Sequence, residues 1–187
     1  METFTLNCSH AVLLASYNEW MNSKLYEAAA KLPPEEFAAE KSAFFGSLRG
    51  TLNHLVVADI IWLKRFALHP SNHTALESIR RVPSPQSLNQ RMFDDLPALH
   101  EYRRRLDETI DEWAASLAAA DLRHVLAYTN TKGVSYRKSF SNLVLHFFNH
   151  QTHHRGQATT LLFQAGVDVG VTDLLALIPD ERLPDWD

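Results

Sequence analysis

The stretch SLRGTLNHLVVADIIWLKRFAL, residues 47–68, has the spacing of apolar residues that is typical of a long helix with a buried face. The residues that fit this face are Leu48, Leu52, Leu55, Ile61 and Trp62. Ser47 precedes them, and its side chain can accept a hydrogen bond from a backbone N–H of the first turn. The stretch therefore predicts an amphipathic helix from Ser47 to Leu68, which must bury its apolar face against other elements.

Three further segments have the same helical period, and they run from Asn7 to Lys31, from Leu96 to Ala119 and from Ser139 to Ala165. The apolar stripe of the 7–31 helix comprises Val12, Leu13, Tyr17, Trp20, Met21 and Leu25, and that of the 96–119 helix comprises Leu99, Tyr102, Leu106, Ile110, Trp113 and Leu117. Prolines at 33 and 34 end the 7–31 helix, because proline lacks the N–H that a continuing helix needs. Gly166 follows the last helix, where glycine commonly terminates helices.

The segments between these helices differ in character. Residues 69–94 contain three prolines and show little periodicity, so they predict a long connection. Residues 124–139, HVLAYTNTKGVSYRKS, alternate on either side of NTKG at 130–133 and predict a β-hairpin. Thr172 is expected to cap a short final helix, DLLAL, over residues 173–177.

Four long helices and one hairpin predict an all-α fold of the four-helix bundle type. The long link between the second and third helices permits a crossover, so those two helices need not be antiparallel. A length of 187 residues suits one domain, and we expect residues 1–187 to form it.

Charge and hydropathy exclude several classes of protein. The net charge is −4 and no basic face dominates, which argues against a nucleic-acid partner. The one basic run, at 103–105, is accompanied by Glu101, Asp107 and Glu108, so we expect a solvated helix face there. No apolar stretch approaches the roughly 18–20 residues of a membrane span, so no membrane association is expected.

The cysteine content and the N-terminus indicate the compartment. Cys8 is the single cysteine, which excludes an intrachain disulfide, and we expect it to be a buried apolar residue rather than a nucleophile. The N-terminal METFTLNCSH lacks the basic and apolar regions of a secretory signal. A cytoplasmic location is therefore expected.

The sequence HFFNHQTHHRGQ, residues 146–157, holds four of the ten histidines. His146, His150 and His154 recur every four residues, and each step turns a helix about 40° beyond one full turn. Adjacent members therefore share a face, and a pair at this spacing is typical of helical zinc sites. His153 lies about 60° from His150 and is a competing neighbour.

Two imidazoles on one helix rarely suffice to hold a metal ion, and a third should come from a facing helix. The candidate is His54, in the middle of the 47–68 helix. Three neutral histidines with solvent would form a catalytic type of site, which keeps one coordination position open. The alternative to a metal site is that these histidines are hydrogen-bonded residues of the core. Asp59 lies about 140° around the helix from His54, so no carboxylate stands out as a general base.

Three residues at the end of this segment have open roles. Gly156 interrupts a helix at a cost of about 1 kcal/mol relative to alanine, which predicts the close approach of another backbone. Arg155 is either solvated or bound to a carboxylate, and it could orient an anionic substrate. Gln157 either hydrogen-bonds a metal-ligating histidine or is an ordinary helix former.

Two stretches of the chain together resemble the DinB family, the DinB/YfiT-like metalloenzymes. One is GSLRGTLNHLVVADIIWLKRF (46–66), and the other is NHQTHHRGQATTLLFQAGVDVGVTDLL (149–175), which contains H-x-x-x-H-R-G-Q. The resemblance implies a four-helix bundle of up-down-down-up order and, often, a homodimer. It also implies three ligands, His54, His150 and His154, for a divalent ion such as zinc or nickel.

The resemblance implies less about the reaction. Similar proteins include thiol S-transferases that use bacillithiol or mycothiol, and a thiol-dependent maleylpyruvate isomerase. We therefore expect a metal-dependent enzyme of the thiol S-transferase type, with a small-molecule substrate and a low-molecular-weight thiol. The alternatives are a metal-dependent hydrolase and a metal-binding or stress-response protein without turnover. His146 and His153 are expected to be packing residues or to hydrogen-bond the ligands.

Overall fold

The computed structural model describes residues 6–180, of which 62% are helical. The helices of this range are α1 (Cys8–Ala29), α2 (Pro34–Ala38), α3 (Leu48–Phe66), α4 (Glu77–Arg81), α5 (Leu96–Ser116), α6 (Ala119–Leu122) and α7 (Phe140–Gln164). Short 3-10 turns lie at Thr74–Leu76 and Leu174–Leu177, and the strands are β1 (Val125–Thr129) and β2 (Ser135–Ser139). The prediction of a helical protein with a small hairpin is confirmed. The two ends of the predicted domain, 1–5 and 181–187, lie outside the described residues.

Helix α3 lies at the centre of the packing. It contacts α7 and α5, while α1 packs against α5 and α7. Every residue from 51 to 60 is buried, so the middle of α3 is enclosed on all sides and the single face predicted for it is too narrow. Ser47 caps the helix as predicted, because its side chain accepts a hydrogen bond from the Gly50 N–H at 3.0 Å. Within residues 6–180, none of the helices has both the length and the apolar character that crossing a bilayer requires.

The structure differs from the predicted ends and buried faces of the other helices. Helix α5 stops at Ser116, earlier than predicted. Val12 is 41% exposed, because Ala11, one position earlier, faces the core instead. Thr172 does not cap the final turn, which has no side-chain cap. Its carbonyl instead accepts a hydrogen bond from the Tyr17 hydroxyl at 2.6 Å, which ties the C-terminal segment to α1.

The predicted hairpin is confirmed. Strands β1 and β2 pair antiparallel, with Tyr128 opposite Tyr136. Gly133 has φ +79°, a conformation that glycine adopts without steric cost, and the Asn130 side chain accepts hydrogen bonds from two N–H groups of the turn. The ring of Tyr128 lies 5.6 Å from that of Trp62, so the hairpin covers one side of α3.

The long connection between α3 and α5 is held along α3 by polar side chains. The Asn53 amide donates to the carbonyl of Phe93 and accepts from the N–H groups of Met92 and Phe93. The Lys64 ammonium donates to three carbonyls of residues 79–82. These bonds fix a segment that has few regular hydrogen bonds of its own, and they hold it against α3.

The basic run at 103–105 is only partly the solvated face that the sequence predicts. Arg104 and Arg105 are exposed and pair with glutamates, but Arg103 is 1% exposed. Its guanidinium pairs with Asp59 at 2.5 Å and with Asp107 at 2.9 Å. Arg103 therefore points into the core, where it binds the Asp59 carboxylate of the facing helix α3. This partner is distant in sequence and could not be read from local charge.

Cys8 is half-buried at the first position of α1. Its side chain packs against the edge of the hydrophobic core, so the expected apolar role fits. The expected full burial is wrong, because the first turn of α1 lies at the rim of the core.

Candidate metal centre

Three histidines from two helices converge next to the connection that follows α3. His54 lies in the middle of α3, and His150 and His154 lie one turn apart on α7. Their ring centroids are 4.4, 4.5 and 5.3 Å apart, and one ring nitrogen of each lies within 4.8 Å of the others. The structure thus brings together the three histidines that the sequence singles out, close enough that they could hold one metal ion.

His54 is buried and held in one orientation. Its Nδ1 lies 2.8 Å from the carbonyl oxygen of Leu88, so Nδ1 carries the proton and donates. The ring of Phe45 stacks on the imidazole with centroids 3.8 Å apart. The Nε2 atom is buried and has no hydrogen-bond partner among residues 6–180. A hydrogen bond from one ring nitrogen with a free lone pair on the other is the arrangement that metal-ligating histidines adopt.

His154 is held in the same manner. Its Nδ1 lies 2.8 Å from Oε1 of Gln157, one turn further along α7. The amide nitrogen of Gln157 lies 3.2 Å from Nε2 of His153, which fixes the orientation of the amide. Gln157 therefore hydrogen-bonds a candidate ligand, which is one of the two roles that the sequence leaves open. His153 is exposed and hydrogen-bonds Gln157, so it reaches the candidate ligand only through that amide.

Burial keeps the three imidazoles neutral. Burial, with a smaller contribution from repulsion by His154, lowers the pKa of His54 to about 4 and that of His150 to about 3. Burial also lowers the pKa of His154 itself. Neutral imidazole is the form that binds metal ions, so the three histidines need not lose protons to bind one at pH 7.

The contact that places Phe45 over His54 was not predicted from the sequence. Gly50, in the first turn of α3, touches the backbone of Phe45 so closely that a Cβ there would lie 1.9 Å from the Phe45 carbonyl oxygen. Only glycine permits this approach. The sequence signal for this contact is Gly50 itself. A helical glycine lowers stability relative to alanine, so its presence suggests a close backbone contact that only glycine permits.

The same reasoning is wrong for Gly156 and for the residue before it. No atom lies within 4 Å of the position that a Cβ of Gly156 would take, so no backbone approaches there. Arg155 does not face the histidines, since it is 2% exposed and bonds the side chain of Asn18 inside the core. One residue along a helix is a turn of about 100°, which sends Arg155 to the other side of α7 from His154.

His146 lies at the edge of the candidate metal centre, and Asp59 lies away from it. His146 is exposed and packs edge-on against Trp62 with centroids 5.0 Å apart, in agreement with the packing role expected for it. Its ring lies 6.0 Å from that of His150. Asp59 faces away from the histidines and pairs with Arg103, as its position on the helix predicts.

A second group of possible ligands, His69, His73 and Asp121, lies elsewhere among the described residues. Hydrogen bonds already engage both ring nitrogens of His69. Nδ1 accepts from the Ser71 N–H at 3.1 Å, and Nε2 lies 3.3 Å from the backbone carbonyl of Asp121. The Asp121 carboxylate accepts from the Ser71 hydroxyl and from the N–H of Ala118. We interpret this group as a polar connection between residues 69–73 and α6, because a metal ion would have to displace one of these bonds.

A cleft of about 360 Å³ opens beside His54 and His150. Aromatic side chains of α3 and the hairpin, including Trp62, Tyr128 and Tyr136, form much of its wall. Its volume lies in the range of small-molecule sites, which is about 300–1,000 Å³. The candidate centre is therefore accessible to a ligand of modest size.

A mostly helical fold, three histidines that could hold a metal ion and an adjoining cleft define a class: a helical protein with a candidate metal centre. The sequence pattern of the DinB family matches residues 1–182. The chain belongs to the DinB family.

One relative and the solved structures complete the comparison. The chain is 26% identical to Protein DinB of Bacillus subtilis (strain 168) over 163 residues, which cover 87% of this chain and 90% of that protein. No solved structure matches the chain at a significant level.

Proposed function

We propose that this protein is a metal-dependent enzyme of the thiol S-transferase type, with a divalent ion held by His54, His150 and His154. The observation that carries the proposal is the unpartnered Nε2 of His54, which is buried beside the other two imidazoles. Membership of the DinB family is consistent with it. Zinc and nickel are the proposed ions, because imidazole nitrogen suits both.

The side chains around the histidines have separate tasks. A bound divalent ion would supply Lewis acidity, which lowers the pKa of a thiol or of water. The Leu88 carbonyl and Gln157 hold His54 and His154 in the tautomers that leave Nε2 free. Phe45 shields one face of the His54 ring from solvent. The cleft beside His150 provides space for a small-molecule substrate.

We prefer thiol transfer to hydrolysis because no carboxylate of the described residues lines the cleft. Metal-dependent hydrolysis commonly uses a carboxylate as general base. Among the residues that the structure describes, no Asp or Glu lines the cleft beside His54 and His150. A thiolate is itself the nucleophile once it is deprotonated, so its attack on an electrophile needs no such base.

Metal analysis of purified variants tests the ligand set. We expect about one divalent ion per chain, and we expect His54→Ala and His150→Ala each to lose it. His153→Ala is the matched control, because it removes an imidazole from the same helix outside the three. A His54→Ala protein that kept full metal content would contradict the ligand assignment.

A thiol-consumption assay tests the reaction. The metal-loaded protein is given a low-molecular-weight thiol and an electrophile such as monochlorobimane, and formation of the thioether is followed by fluorescence. We expect a rate above that of the metal-free protein. Equal rates for the two forms would count against thiol transfer and favour a metal-binding protein without turnover.

The proposal includes the arrangement of the chain. We propose that the four long helices α1, α3, α5 and α7 form a four-helix bundle of up-down-down-up order, as the family resemblance implies. A homodimer acting in the cytoplasm is part of the same proposal. Sedimentation velocity of the metal-loaded protein tests the dimer, and a monomer at micromolar concentration would contradict it.

A further inference from the structure

The cleft beside the histidines extends along α3 to a cation. Arg65 lies eleven residues after His54, which is three turns and only about 20° further around the helix, so both side chains belong to one face. Both line the same cleft of about 360 Å³. The guanidinium of Arg65 lies 4.5 Å from the centre of the Trp62 ring, one turn back toward His54. The cation and the candidate metal centre therefore occupy two ends of one hollow, and the Cα atoms of Arg65 and His54 lie about 16 Å apart along the axis of α3.

Arg65 has no anionic partner among residues 6–180. Two other packed arginines have one, since Arg103 pairs with Asp59 and Asp107, and Arg80 pairs with Glu77. The buried Arg155 instead donates to the neutral side chains of Asn18 and Thr152. Arg65 is half-buried, and the ion pairs of the described residues do not include it. A partly desolvated guanidinium without an anion is electrostatically incomplete, and a ligand carboxylate would complete it.

The position of Arg65 is fixed by aromatic rings and not by charge. Its guanidinium packs on both Trp62 and Tyr128, at 4.5 and 5.0 Å from the two ring centres. Stacking of this kind holds the planar cation in place while its N–H groups remain free to donate. The same aromatic surface continues toward His54 as the cleft wall, where it suits the apolar body of a ligand.

The neighbouring hollow reinforces the charge at this end. A space of about 500 Å³ shares Trp62, Tyr128 and His146 with the cleft, and it is lined by Lys138 and by no acidic residue. Lys138 also makes no ion pair within the described part of the chain. The wider opening around Arg65 is therefore positively charged, although the protein as a whole has a net charge of −4.

We propose that the cleft binds an elongated small-molecule carboxylate, whose anionic end pairs with Arg65 while its other end reaches the three histidines. This inference rests on the proposed function only for the end at the histidines, because recognition of the carboxylate needs no metal ion. It names the substrate class as an anion with an apolar middle. Arg65 is the residue that determines this specificity.

Calorimetric titration of the metal-loaded protein with matched thiols tests the inference. The probes are 8-mercaptooctanoate and 8-mercaptooctanol, which differ in charge, and the short pair 3-mercaptopropionate and 3-mercaptopropanol. We expect the long acid to bind at least tenfold more tightly than the long alcohol, and the short acid to gain nothing over a short alcohol because it cannot span the cleft. Arg65→Gln should abolish the preference for the long acid and leave the alcohol unaffected.

Two further variants control for folding and for general charge. Arg65→Met removes the charge but keeps an apolar stem against the two rings. It therefore tests the role of the charge even if Arg65→Gln disturbs the packing. Arg105→Gln removes an exposed arginine on α5 and should keep the preference. Equal binding of acid and alcohol by the wild-type protein, or a preference that survives in both Arg65 variants, would overturn the proposal.

A metal-free arm separates this inference from the proposed function. Octanoate, which has no thiol, is titrated into the metal-free protein and tryptophan fluorescence is followed. Binding that Arg65→Gln weakens at least fivefold supports carboxylate recognition even if no ion binds to the histidines. Binding that is unaffected by Arg65→Gln would overturn it, whatever the metal analysis shows.

Discussion

At the scale of single residues, the candidate centre depends on side chains that orient its imidazoles. Leu88 supplies a backbone carbonyl to His54, and Gln157 supplies a side-chain oxygen to His154, each at 2.8 Å. Such partners fix the tautomer and the direction of a ligand ring, and their loss weakens metal binding even though they never touch the ion. The carbonyl cannot be removed by mutation, but the glutamine can.

Gln157→Ala is expected to reduce metal affinity about 10- to 100-fold, because the His154 ring loses the acceptor that holds its Nδ1–H. Alanine is a good helix former, so α7 should remain intact. Competition with a chromophoric chelator measures the affinity. His153→Ala is the comparison, since it removes the other partner of Gln157, and we expect less than a threefold change. An unchanged affinity in Gln157→Ala would show that the hydrogen bond does not orient the ligand.

The two helical glycines predict opposite outcomes for the same substitution. Gly50→Ala would set a Cβ 1.9 Å from the Phe45 carbonyl oxygen, so the backbone that carries Phe45 must move away from His54. We expect a loss of about 1–3 kcal/mol in the free energy of unfolding, together with weaker metal binding. Gly156→Ala meets no atom within 4 Å and should raise that free energy by about 0.5–1 kcal/mol.

Urea denaturation of the two metal-free variants measures these changes, and chelator competition measures the affinity. A neutral Gly50→Ala variant would mean that the 40–47 segment adjusts without strain. In that case Phe45 would not be held over His54 by backbone contact.

At the scale of elements, buried charges join the long helices. Arg103 on α5 lies between Asp59 on α3 and Asp107 on its own helix. Asn18 on α1 donates to Asp107, and it also accepts a hydrogen bond from Arg155 on α7. Burial raises the pKa of Asp59, and the guanidinium of Arg103 opposes that shift. Since α3 and α7 also carry the histidines on their other faces, this network helps to set the register in which the three rings meet.

Arg103→Met is expected to lower the free energy of unfolding by about 3–5 kcal/mol, because it leaves two buried carboxylates without their cation. Arg104→Met, at the next position but exposed, should change it by less than about 0.5 kcal/mol. Chemical denaturation followed by circular dichroism measures both. A loss below about 1 kcal/mol for Arg103→Met would show that the carboxylates take up protons or water at little cost.

At the scale of the whole molecule, burial of many imidazoles links stability to pH. The pKa values of His54 and His150 fall to about 4 and about 3, and those of His69 and His73 are lowered as well, all mainly by burial. Between these values and the unfolded value near 6.5, the unfolded chain binds more protons than the folded one. The histidines therefore contribute full stability above about pH 6.5, and they lose it progressively as the pH falls.

We expect the metal-free protein to lose stability from about pH 6.5 downward, by at most about 1.4 kcal/mol per pH unit for each buried histidine. Asp59 and Asp111 contribute with the opposite sign, because burial raises the pKa of each to about 7. The contribution of the histidines is therefore measured as a difference between the wild type and a variant with both His54→Gln and His150→Gln, by urea denaturation from pH 7.5 to 4.5. Parallel pH profiles for the two proteins would contradict the expected linkage.

The sequence by itself determined the helical class, the approximate bounds of the long helices, the hairpin and the three histidines that converge. The elements depend on local periodicity, and the pairing of His150 with His154 depends on spacing along one helix, which the order of residues states directly. His54 joins them from another helix, and the family resemblance pointed to it. The solvated reading of Arg103, the close approach expected at Gly156 and the substrate role considered for Arg155 were wrong. In each case the outcome depended on what a different helix presents to that position.

Only the tertiary structure decided what surrounds the histidines. The Leu88 carbonyl and the Phe45 ring reach His54 from segments whose sequences carry no period that points there. Arg65 shares the helix face of His54, but its lack of an anionic partner among residues 6–180 depends on the elements packed around it. Periodicity indicates which residues share a face, but it does not indicate which face of another element lies opposite. Burial, pairing and pKa depend on that opposing face, so the chemistry of the centre is settled by contacts between distant parts of the chain.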